Sequence, residues 1–319
     1  MKVIILVVVI FLFSYTVHGQ IIGHVNTDTA YINSQTSKWS VRAYAISKYN
    51  EFTIAEQNVK ALFYPDVKLG AGLGFAYHNL ALDVAFNISS SDPSHKSGNL
   101  SLISAVYFNQ NLLDVEFQLY NHYTISERDE SNNELISQFR TDITVFNAGL
   151  NYNYNFNYHK FSFNAPFIGT EIQKHSAGSP LAGVYINYFD LHADSSIFPN
   201  IPTSESNPQN TLTDARLFSA GITAGYAFTW VLPRHFYVTL SLTPKIGISA
   251  GEVKEISYED VHYGIAPGIL TRNAVGYAGK KFYGFLSILG DYNILRLGDD
   301  DDLYYDPLKV KLLVGFRFN

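Results

Sequence analysis

The sequence predicts an all-β fold, a single antiparallel transmembrane β-barrel of the outer-membrane type with about twelve to fourteen strands. Three observations predict it. First, side-chain character alternates with a period of two, which gives a strand one apolar and one polar face. In HFYVTLSLTPKIGIS (235–249), Phe236, Val238, Leu240, Leu242, Ile246 and Ile248 oppose Tyr237, Thr239, Ser241, Thr243, Lys245, Gly247 and Ser249. Second, the chain is rich in strand formers, with 23 Tyr and 23 Phe, and only 16% of its residues are charged, where soluble domains carry about 25%. Third, the polar faces hold Gly, Ala, Ser, Thr and Tyr more than Lys and Glu, and aromatic residues gather near strand ends, as at Tyr226, Phe228, Trp230, Phe236 and Tyr237. A soluble sandwich or barrel would turn the apolar face inward, whereas a membrane barrel turns it to lipid and keeps the polar face in the lumen. Length favours lipid: 215–232, 236–250 and 281–297 exceed the usual run of about five or six residues and suit tilted membrane strands.

The elements follow in order. Residues 1–19 read as a cleaved signal peptide, with Lys2 before an apolar run from Val3 to Phe13 and a small-residue site, Val17 and Gly19, before Gln20. That run is too short to span a bilayer, and no later run reaches about 18 apolar residues. Export to the outer membrane of a Gram-negative bacterium is therefore expected. Residues 20–37 form an N-terminal segment and 38–319 the barrel. Candidate strands lie at 38–48, 51–64, 69–78, 80–88, 99–109, 111–124, 141–156, 160–170, 180–191, 215–232, 236–250, 262–277, 281–297 and 306–319. Short turns, such as Pro233-Arg234, alternate with long polar links at 89–98, 125–139, 192–214, 251–261 and 298–305. Bacterial barrels keep short turns periplasmic and long loops outside. The alternation fails only where 160–170 and 180–191 are both counted as spanning, which reverses the parity.

The polar faces place a set of residues in the lumen: Arg42, Lys48, Asp83, Asp114, Glu116, Gln118, Lys245, Arg272, Lys309, Lys311 and Arg317. Charges inside a barrel must be hydrated or paired. Two readings stay open: a pore or solute-binding lumen tuned by mixed charges, and a plugged lumen whose charges neutralise one another. Other signals are weak. The ten His form no H-x-x-x-H pair, and the lack of Cys excludes disulfides and thiolate metal sites. His175-Ser176 is a nucleophile beside a base only in sequence, and triads are defined by spatial geometry. Asp299–Asp302 lacks the spaced ligands of a Ca²⁺ loop. A net charge of −6 suggests no nucleic-acid partner. Neither metal, cofactor nor enzymatic activity is expected.

Four stretches carry a resemblance: YINSQTSKWSVRAYAISKYNEFTI (31–54), LGAGLGFAYHNLALDVAF (69–86), IQKHSAGSPLAGVYINY (172–188) and TRNAVGYAGKKFYGFLS (271–287). Together they resemble the Bacteroidota family described as domain of unknown function 4421, which implies an outer-membrane barrel and brings no established activity. The chain departs from that pattern in lacking basic residues near 64–66 and 141–148. The expected function is a porin-like channel or transporter for a small polar solute. The alternative is a non-conducting structural or assembly protein acting through its loops. Outer-membrane lipid is the expected partner in either case.

Overall fold

The computed structural model describes residues 27–33, 39–56, 59–65, 68–77, 80–87, 99–108, 110–128, 134–197, 212–255, 259–298 and 302–318. The expected signal peptide, the 89–98 link, most of 192–214 and Asp299–Asp301 lie outside them. The alternating stretches form long strands: β2 (Trp39–Glu56), β7 (Asn111–Arg128), β8 (Glu134–Asn155), β10 (Ala177–His192), β11 (Leu212–Val231), β12 (Phe236–Glu255), β13 (Glu259–Ala278), β14 (Phe282–Arg296) and β15 (Asp302–Phe318). Shorter strands are β1 (Ile32–Asn33), β3 (Val59–Tyr64), β4 (Lys68–Tyr77), β5 (Leu80–Asn87), β6 (Asn99–Phe108) and β9 (Ile172–Gln173).

Antiparallel pairing runs β15-β14-β13-β12-β11-β10-β8-β7-β3-β2, and β2 pairs back onto β15 from Trp39↔Phe318 to Ala55↔Asp302. The wall is therefore a closed ten-strand antiparallel barrel. Thirteen strands share the sheet among the described residues, but only ten complete the circuit, fewer than the twelve to fourteen expected of the barrel. The others extend the sheet sideways at the short-turn end. β4 takes over from β3 beside the first half of β2, β5 pairs β4, and β6 pairs β7. Within the circuit each of the ten strands is paired on both sides, which is how a wall in hydrocarbon satisfies its backbone groups, whereas β5 and β6 each pair on one side only among the described residues.

Two further expectations are corrected. The break expected between strands 38–48 and 51–64 is absent: β2 runs unbroken to Glu56, and β3 follows within the rest of 51–64. Residues 160–170 are not a strand. Their Phe161, Phe163 and Phe167 mimic a period of two, but Pro166 cannot donate to a ladder, and the segment folds as loops around one helical turn, α1 (Asn164–Phe167). Removing it as a spanning strand restores the parity of turns and links.

The alternation orients the wall. On β12 the apolar face points outward, with Leu240, Leu242, Ile246 and Ile248 all exposed and Thr239, Ser241, Thr243 and Lys245 all buried. Phe236 to Ile248 spans twelve residue steps. At about 3.3 Å each and a tilt near 40°, that is roughly 30 Å, the thickness of a bilayer core. Aromatic pairs rim the short-turn end of this face, Trp39–Phe75 at 5.0 Å, Phe228–Trp230 at 4.7 Å and Phe282–Phe316 at 5.0 Å. At the long-loop end sit Phe146–Tyr188 and Tyr292–Tyr304. Beyond that belt the outer face turns charged, where Arg216 lies between Asp190 and Glu252. The strands thus project past the apolar band on the loop side.

Candidate functional site

The interior is the candidate site, and it is layered. At the loop end, residues from most of the wall pack into one apolar cluster that includes Phe52, Phe63, Tyr123, Ile143, Phe189, Leu217, Leu303 and Tyr305. Phe52 stacks on Phe63 at 4.4 Å and meets Phe189 at 6.1 Å, although β2 and β10 stand four places apart round the circuit. Phe189 in turn meets Tyr305 at 5.1 Å. Rings from distant walls touch, so this level is filled by side chains. Each such ring pair adds about 0.5–1.5 kcal/mol beyond its area burial.

The middle level is polar and crosses the lumen by ion pairs. Arg272 on β13 reaches Asp114 on β7, diametrically across the circuit, and the Tyr107 hydroxyl donates to the same carboxylate at 3.3 Å. Lys309 on β15 bonds Glu116 on β7 at 3.0 Å. Lys245 bonds Asp291, to which Asn151 Nδ2 donates from the opposite wall at 3.3 Å. Asp83 is shared by Arg42 Nε at 2.6 Å and Lys311 Nζ at 2.5 Å. Gly74 makes room for that pair, since a Cβ there would fall 1.9 Å from Asp83 Oδ1. The Tyr305 hydroxyl lies within hydrogen-bond distance of Asn50 Oδ1 (2.6 Å) and Gln118 Oε1 (2.8 Å), tying the polar layer to the apolar one above it. Isolated charges here would be prohibitive, whereas pairing with added hydrogen bonds makes them tolerable.

At the short-turn end a folded segment, 156–176, plugs the mouth. Phe161, Phe163, Phe167 and Ile168 pack with Tyr107, Tyr237, Tyr283 and Phe285 of the wall. Wall side chains grip its backbone carbonyls. Arg42 Nη1 donates to Ile168 O at 2.9 Å, Arg317 Nε to Gly169 O at 2.7 Å, and the Tyr237 hydroxyl to Pro166 O at 3.2 Å. Arg317 also stacks over the Tyr283 ring, 4.4 Å from its centroid. The α1 turn ends at Gly169, whose φ of +81° and close approach to the Tyr283 ring admit no side chain. Inside the segment, Gln173 bonds the Ser162 amide and the Lys160 carbonyl, and Ser162 donates to the buried Glu171 carboxylate. Burial pushes the Glu171 carboxyl above its usual range, against the opposing effect of the Ser162 bond. Residues of the N-terminal segment join this plug: β1 pairs β9, and Lys174 Nζ donates to Thr29 O at 2.7 Å.

A family model described as "Domain of unknown function (DUF4421)" matches residues 26–318. The chain belongs to this family. Among solved structures it is similar to the outer membrane protease OmpT from Escherichia coli, at 6% identity and a TM-score of 0.41, covering 88% of this chain and 96% of that one. It is also similar to the outer membrane protein OprG from Pseudomonas aeruginosa, at 11% identity and a TM-score of 0.28, covering 89% and 97%. A third is the attachment invasion locus protein Ail of Yersinia pestis, at 9% identity and a TM-score of 0.24, covering 86% and 97%. At such identities no residue role passes from these proteins to this DUF4421 chain. No curated relative matches the sequence.

Of the residues singled out by pattern, Arg42, Asp83, Asp114, Glu116, Gln118, Lys245, Arg272, Lys309, Lys311 and Arg317 take part in the inward contacts above. Lys48 is half-buried on β2 opposite Lys309 in the register, with Glu116 and Lys311 in electrostatic reach. Arg317 belongs to the plug rather than the middle layer. Pattern reading missed Asp291 and Asn151, because the inner face of β14 mixes Tyr283, Phe285, Leu289 and Asp291 and offers no clean polar stripe. It also missed the plug. His175 and Ser176 form no catalytic pair: His175 packs edge-on to Tyr31, and Ser176 Oγ accepts from the Val231 amide at 2.9 Å. Among the described residues no group of three or more His, Asp or Glu could hold a metal ion.

Proposed function

We propose that this protein resides in the outer membrane as a barrel that does not conduct in its resting state and acts through its surfaces rather than its lumen. One observation carries this reading: side chains from walls far apart in the circuit meet at both the loop-end and middle levels, and the third level is stopped by the 156–176 segment. The test is conductance in planar bilayers of protein first verified as folded by heat-modifiable gel migration. Silence across voltage and salt is the expected result. Steady unit steps would overturn the proposal.

Passage of a small polar solute is the second reading, and one observation favours it. In the middle layer Asn147 Oδ1, Asn153 Nδ2, Ser241 Oγ and Arg272 Nη1 are buried without a hydrogen-bond partner. Such atoms can bind a polar guest. Passage would require the plug to leave the mouth and the loop-end cluster to part. It therefore predicts conductance only under a condition that moves both.

A further inference from the structure

A cavity of about 390 Å³ opens at the short-turn mouth, between the plug and the β11–β12 and β13–β14 turns. We propose that it binds the phosphate head group of an anionic phospholipid from the leaflet at that end.

Charge comes first. Lys174, Arg234, His235 and Lys280 line the cavity, and none of its lining residues is acidic, in a chain whose net charge is −6. Lys174 is occupied by the Thr29 carbonyl, and His235 packs edge-on to Tyr277. The side chains of Arg234 and Lys280 are exposed and form no ion pair or hydrogen bond with any described residue. The turn that presents Arg234 is costly to build that way. Arg234 and His235 sit at φ +62° and +69°, in the left-handed region where a hairpin loop ordinarily places Gly or Asn. Strain held at exposed basic residues fits a binding role better than a purely structural one.

The shape of the cavity points to the same ligand. The floor is apolar, built of Pro166, Ile172 and Tyr237, so a bare inorganic ion would leave most of the cavity poorly matched. Two further lining residues, Leu232 and Phe236, are exposed on the lipid-facing side beside the Trp230 belt. A ligand with its phosphate at Arg234 and Lys280 could therefore run its acyl chains past Leu232 and Phe236 into the bilayer. A volume of this size suits a head group with the first chain carbons. The inference holds whether or not the lumen conducts.

The test is native mass spectrometry of the full folded chain, purified in detergent with equal phosphatidylglycerol and phosphatidylcholine. Retention of one phosphatidylglycerol, at least tenfold preferred, is expected. Arg234→Glu combined with Lys280→Glu should abolish the preference while leaving the heat-shifted band intact. Arg234→Gly, which relieves the left-handed strain and so should fold readily, should reduce the preference severalfold. Equal retention of the two lipids, or an unchanged preference in Arg234→Gly, would overturn the proposal. Displacement by equimolar glycerol 3-phosphate would overturn the lipid as the source and leave a free phosphate ester in its place.

Discussion

The two ends of the barrel are closed by different means. At the loop end the stopper is the wall itself: Phe52, Phe63, Tyr123, Phe189 and Tyr305 come from separate strands and meet at the axis. At the turn end the stopper is one contiguous segment, held by Arg42, Arg317 and Tyr237 through its own carbonyls. The first closure cannot be removed without loosening the barrel. The second is separable, because few of its contacts are among those that close the circuit. Between them lies a polar layer whose charges pair across the lumen.

That contrast can be broken from either side. The largest effect is expected at the loop end. Phe189→Ala removes a fully buried ring, which costs about 3–5 kcal/mol, and should lower the temperature of the gel shift while leaving the plug protected from trypsin. Arg317→Ala should do the converse. It removes charge-assisted bonds to the Gly169 and Gly279 carbonyls, each worth about 1.5–3 kcal/mol when buried. Faster tryptic cleavage at Lys160 and Lys174 is expected, with little change in the gel shift. If both variants lost plug protection and barrel stability together, the two ends would be one cooperative unit.

Smaller changes sharpen the same contrast. Gly169→Ala places a methyl group against the Tyr283 ring at a left-handed position, costing about 1–3 kcal/mol, and should again loosen the plug alone. The smallest effect concerns pH. Burial raises the Glu171 carboxyl pKa when the segment is docked, so docking takes up a proton. Its contribution is full below the ordinary carboxyl pKa and is lost as pH rises through the raised value. Protection of the plug from proteolysis should therefore weaken with rising pH in that window. Glu171→Gln should flatten the profile, and an unchanged slope in that variant would assign the effect to another group.

Much of the wall was legible in the sequence because a two-residue period forces every side chain to one face or the other. Arg272 shows the strength of that constraint. Its inward neighbours Leu270 and Ala274 are apolar, yet the register carries it to Asp114 across the lumen. The plug was not legible for the same reason in reverse. Phe161, Phe163 and Phe167 repeat the strand period, and only Pro166 and the parity of the turns argued against a strand. Pairing was also out of reach, since Asp114–Arg272 spans 158 residues and depends on the curvature of the closed wall. Periodicity specifies faces, while closure of the barrel decides which facing residues meet.

The proposed occlusion requires the middle layer to be sealed from both sides. The chain contains no Cys, so a single introduced thiol reports its own surroundings. Ser241→Cys places one in the middle layer at a residue that is 2% exposed, and His235→Cys places a control at the open mouth. Both would be treated, in folded protein in liposomes, with a charged, membrane-impermeant methanethiosulfonate. Prompt modification is expected at 235 and none at 241 until the protein is unfolded. Modification at 241 as fast as at 235 would contradict the occlusion and would show a lumen open to water.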